Sequence, residues 1–159
     1  MNVKQEISIK KVTADAQAYF GKGFFCCESV IASIVDNFEL DVPREVIAMS
    51  SGMAGGAGRN GCICGAVNSG IMALGLFFGR TEPGDPKAEK CVALVKEFYS
   101  SFQEMSGKTG VCCRVLTKGM DMKAGEHKEQ CLRFVGFCAG KVAEIVIREL
   151  GLTNLDEQQ

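Results

Sequence analysis

The chain has no tryptophan and only one histidine, His127, in 159 residues. That histidine sits in a polar stretch, GEHKEQ, and reads as a solvated residue, so no nucleophile–base–acid set is visible. No CxxC pair occurs, which removes the zinc-ribbon and ferredoxin patterns, and there is no haem-attachment motif. Charge of either sign is not in excess. Lys and Arg number 18 and Asp and Glu 19, for a net −1, which gives no electrostatic case for nucleic acid or an anionic membrane as partner. The opening MNVKQEISIKK has no apolar run after its charges and does not read as a secretory signal. Alternating strand patterns, internal repeats and low-complexity tracts are missing too, and 1–159 reads as one domain large enough to bury a hydrophobic core.

What the chain does have is cysteine, nine in all. They cluster as Cys26-Cys27, Cys62-Ile63-Cys64 and Cys112-Cys113, followed by Cys131 and Cys138, with Cys91 alone. The odd count and the missing signal argue against a static disulfide framework and for a reducing cytoplasm. Cys91, on an apolar helix face, and Cys138, between Phe137 and Ala139, read as core residues, since free cysteine behaves as a small hydrophobe. The six clustered cysteines read as functional, one in each pair, because adjacent side chains point apart.

Apolar spacing predicts an all-α chain. Helices are expected from about Ile7 to Phe20, Cys26 to Phe38, Pro43 to Ser51, Asp85–Pro86 to Met105, Cys112 to Lys118 and Glu126 to Leu150. Between Gly61 and Gly79 lies an uncharged run, GCICGAVNSGIMALGLFFG. Its five glycines, with Asn68 and Ser69, weigh against a membrane span. They favour a central helix buried on all sides, whose Gly65, Ala66, Ser69, Gly70 and Ala73 let neighbours approach closely. The expected architecture is a compact multi-helix bundle around this buried glycine-rich helix. The loop before it, Gly52 to Gly61, lacks the strand and the glycine spacing of a dinucleotide site, but it can bring backbone N–H groups close to a ligand.

On that scaffold the three cysteine clusters open helices, where free N–H groups and the helix dipole stabilise a thiolate. Cys131 and Cys138 are seven residues apart and share a helical face. Thiols from several helices can therefore meet at one site.

CCESV from Cys26, GRNGCICGAVNSGIMALGL from Arg59, VCCRVL from Val111 and EQCLRFV from Glu129 follow one another in the order of the C_GCAxxG_C_C family, which the chain resembles over about residues 10 to 148. The resemblance implies a redox or metal role without naming a substrate. It points to Cys26, Cys64, Cys113 and Cys131 as the family cysteines, with Cys62 competing with Cys64 through Gly61-Cys62. These five are the candidate metal ligands, and the first four are the redox-active thiols if the chemistry is dithiol exchange.

Three functions follow as expectations. The first is an all-cysteine iron–sulfur cluster or other thiolate metal site for electron transfer with an unidentified redox partner. The second is thiol–disulfide chemistry at a helix-N-terminal cysteine pair. The third is a helical binding module with structural cysteines. The high apolar content makes a homodimer plausible.

Overall fold

The computed structural model describes residues 2–157, and among these there are seven α-helices. They are α1 (Ile9–Gly21), α2 (Cys26–Asn37), α3 (Glu45–Ala48), α4 (Gly65–Phe78), α5 (Lys87–Ser106), α6 (Cys113–Leu116) and α7 (Lys128–Leu150). The all-α expectation holds. Two strands of two residues each, β1 (Glu6–Ile7) and β2 (Thr153–Asn154), pair in parallel. They are too short to leave a period-2 signal in the sequence.

Local chemistry sets several helix boundaries. The Glu28 carboxylate reaches back to accept from the Phe25 N–H at 2.8 Å, fixing the start of α2 just ahead of Cys26. Asp85 accepts from the Lys87 N–H at 2.9 Å, as its place before Pro86 suggested. Gly107 and Gly151 close α5 and α7 in the left-handed conformation. Asp156 clasps the start of α1, accepting from the Ser8 hydroxyl at 2.7 Å and from the Lys10 N–H at 2.8 Å.

The expected third helix is shorter than its pattern. Pro43 stands ahead of it, only Glu45–Ala48 is α-helical, and a 3₁₀ turn follows at Ser51–Met53.

Within the bundle, α7 packs on α1, α2, α4 and α5, while α4 packs on α2, α5 and α7. Small residues make these contacts possible. A methyl group on Gly70 would lie 2.2 Å from Phe98 Cζ, so α5 rests directly on the α4 backbone. On α7, methyl groups at Gly136 and Gly140 would meet Gln17 and Thr13 of α1 at 2.7 and 2.6 Å.

The uncharged stretch from Gly61 becomes helical only at Gly65 and is not buried on every side. Met72, Gly75 and Leu76 are half-buried along a shallow apolar groove shared with Ile31, Val46 and Met49. With 14 residues, α4 is about 21 Å long, short of a hydrocarbon core of about 30 Å. Among the described residues no helix is long and apolar enough to cross a membrane.

Candidate functional site

One cavity of about 580 Å³ gathers Cys26, Cys64, Cys113 and Cys131, each from a different part of the chain. Cys26 is the first residue of α2, Cys64 caps the N-terminus of α4, Cys113 opens α6, and Cys131 lies in the first turn of α7. Phe20, Phe25, Arg59, Arg114 and Met122 also line it, with the backbone at Gly55 and Gly61.

The structure sorts each cysteine cluster. Cys26 lines the cavity while Cys27 is sealed in the core. Cys113 lines it and Cys112 does not. Cys64 is buried against it, and Cys62 is exposed outside its lining. Cys62 does not open α4 as its spacing suggested, because it lies on the extended segment that precedes the helix. Cys138, on the same helix as Cys131, is fully buried in the core, and Cys91 is half-buried on α5.

Electrostatics at the site centre on Cys26. The Cys27 thiol donates to its sulfur, and this interaction chiefly brings Cys26 down to about 7. Burial opposes the shift, while backbone N–H groups of Cys27, Gly55 and Ala66 add to it. Cys27 is the protonated partner and is pushed well up, by that same hydrogen bond first and by burial second.

Gly65 makes this arrangement possible. A methyl group there would lie 2.8 Å from Cys26 Sγ and 3.0 Å from the Met53 carbonyl oxygen, so only glycine lets the sulfur reach the start of α4. Gly56, at φ +75°, lets the preceding loop fold back on itself, since a Cβ there would stand 2.4 Å from the Cys62 carbonyl oxygen.

The other cavity thiols are held up by burial first and by the negative charge on Cys26 second. Cys64 and Cys131 rise to about 12, and Cys113 also rises. Each thiol thus feels the charge of the first, so the cavity opposes ionisation of a second thiol. Among the described residues no three His, Cys, Asp or Glu side chains stand close enough together to hold a single metal ion.

His127 belongs to the site, contrary to its reading as a solvated linker residue. It lines the cavity at the residue preceding α7, and its buried Nδ1 has no hydrogen-bond partner. The available signal was its spacing from Cys131. Four residues make one helical turn, and the Cys131 N–H donates to the His127 carbonyl oxygen at 2.9 Å.

A helical bundle that turns four thiols into one cavity, one of them shifted down toward neutral pH, defines a cysteine-based site. The chain belongs to the C_GCAxxG_C_C family, described as "Putative redox-active protein (C_GCAxxG_C_C)", which it matches over residues 24–145. No curated protein and no solved structure matches it.

Proposed function

We propose that Cys26, Cys64, Cys113 and Cys131 are the ligands of an iron–sulfur cluster and that the protein transfers electrons to a redox partner. The observation that carries this reading is the convergence of four thiols, from four separate elements, on one cavity. The donor set is all sulfur, which suits iron–sulfur chemistry. A single zinc ion, with bonds of about 2.3 Å, would require its sulfurs within about 4 Å of one another. Among the described residues no three His, Cys, Asp or Glu side chains converge in that way. An iron–sulfur cluster supplies one-electron exchange when bound. The protein's part is to donate N–H groups from Gly55 and Ala66 to the Cys26 sulfur, which tunes a potential, and to shield the site with Phe20 and Phe25. His127 Nδ1 supplies one more unpaired polar atom at the same site. The chain would act as one domain in a reducing cytoplasm.

Iron, zinc and acid-labile sulfide measured on anaerobically purified protein, with a visible spectrum, test the reading. Iron and sulfide are expected in near-equal amounts, and each of Cys26→Ser, Cys64→Ser, Cys113→Ser and Cys131→Ser should lower both, while Cys91→Ser should not. A colourless protein without iron would refute it. The second reading, thiol–disulfide exchange, is favoured by one observation: Cys26, brought down to about 7, is a ready nucleophile at neutral pH. In that case only two of the four substitutions would abolish activity, and none would change metal content.

A further inference from the structure

Cys62 is the exposed cysteine that the cavity leaves out, and the backbone places it beside one of the cavity thiols. The segment before α4 runs antiparallel to the segment before α6, with Ile63 opposite Cys112. The Cys64 N–H donates to the Val111 carbonyl at 2.8 Å, and the Cys113 N–H to the Cys62 carbonyl at 2.6 Å. Side chains alternate between faces along such a pair. Ile63 and Cys112 therefore share one face, and the next position along each segment sets Cys62 opposite Cys113, the first residue of α6, across that backbone hydrogen bond.

The two share that single backbone bond, since the Cys62 N–H donates to the Gly56 carbonyl at 3.0 Å, and opposed residues of an antiparallel pair have Cα atoms about 4.5–5.5 Å apart. That lies inside the disulfide window of about 4.4–6.8 Å. Arg114 steadies the arrangement. Its Nε donates to the Gly61 carbonyl at 3.1 Å, and its Nη2 stands 3.7 Å from Cys62 Sγ, leaving a donor at the sulfur where exchange occurs.

We infer that Cys62 and Cys113 form a reversible cross-strand disulfide that withdraws Cys113 from the four-thiol cavity. The loss of a ligand rests on the cluster reading above, whereas formation of the bond does not. The oxidant is hydrogen peroxide. The exposed Cys62 sulfur attacks a peroxide oxygen and the O–O bond breaks. Cys62 becomes a sulfenic acid, and the first water leaves with the thiol's proton. The Cys113 sulfur then attacks the Cys62 sulfur, the S–O bond breaks, and the hydroxyl departs with the Cys113 proton as a second water. Two thiols have given two electrons to one peroxide. An external dithiol returns them by exchange.

The test treats the full-length protein, as isolated and after iron chelation, with one equivalent of hydrogen peroxide. Free thiols are then alkylated and the unreduced tryptic digest is mapped by mass spectrometry. Trypsin leaves Cys62 on peptide 60–80 and Cys113 on peptide 109–114. Each carries a second cysteine, so variants assign the bond. The expected result is a link between these two peptides and a loss of two free thiols per chain, in both preparations. The link should vanish in Cys62→Ser, which alters an exposed side chain and spares the fold, and should persist in Cys64→Ser and Cys112→Ser. Cys62 that stays fully alkylated after oxidation, or a link that survives Cys62→Ser, overturns the proposal. Iron in the untreated protein is read separately, so a link formed in a protein that never held iron refutes the cluster reading and leaves the disulfide standing.

Discussion

Replacing Cys27 with alanine isolates the strongest local effect in the site. The Cys27 thiol is the main reason Cys26 lies at about 7 rather than at the ordinary 9.0. A hydrogen bond to a charged acceptor contributes about 1.5–3 kcal/mol. At 1.36 kcal/mol per pKa unit, its loss raises Cys26 by about one to two units. Burial, which already opposes ionisation there, acts in the same direction once the donor is gone. At pH 7 the thiolate fraction of Cys26 should fall from about one half to between about one tenth and one hundredth. The assay is the pH dependence of iodoacetamide alkylation at Cys26, followed by mass spectrometry on reduced, chelated protein. The native midpoint should lie near pH 7, and Cys27→Ala should move it to about pH 8–9 and slow alkylation at pH 7 roughly 5- to 50-fold. The cavity left by the small sulfur costs about 1 kcal/mol, and circular dichroism would verify that the fold survives it. An unchanged midpoint in the variant would refute the assignment of the Cys27 thiol as donor.

Gly65→Ala should push the Cys26 sulfur away from the Ala66 N–H and raise its alkylation midpoint, with little change in helix content by circular dichroism. Gly70→Ala should instead act on the fold, because its methyl group meets the Phe98 ring; a loss of about 1–3 kcal/mol in urea unfolding is expected. The thiols also set a pH dependence. Cys64 and Cys131 are raised in the folded state, so the stability they contribute is complete below the unfolded value of 9.0 and is lost as pH climbs from about 9 to 12. Cys26 is lowered, so its contribution is complete above 9.0 and is lost as pH falls toward about 7. Urea midpoints of the chelated, reduced protein should therefore decline above pH 9, and a Cys64→Ala/Cys131→Ala double variant should show a shallower decline.

The sequence made the long elements legible because their apolar spacing is regular. α2, α5 and α7 lie within two residues of their expected ends, with Asp85 and Gly151 acting as the caps their positions suggested. Four of the five candidate cysteines line the cavity, since their places at helix starts already implied amides nearby. Which of Cys62 and Cys64 lines the cavity could not be read from spacing. It depends on where α4 begins, and the folded-back loop at Gly56 sets that point. His127 was hidden by polar neighbours, because hydrophobicity says little about a residue at the edge of a helix. Gly136 and Gly140 leave no mark on the apolar pattern of α7, although their missing side chains let α1 lie against that helix.

The short ladder between β1 and β2 joins segments separated by nearly the whole chain, and Asp156 fastens the same corner. Two residues on each side return little against the entropy of closing so long a loop. This corner is therefore a clasp held by few bonds at the edge of the bundle, and it is expected to open before the helices behind it. Hydrogen exchange should find the Thr153 amide, bonded to the Gln5 carbonyl, opening sooner than the amides within α7, so that the thiol cavity stays closed while the clasp comes and goes.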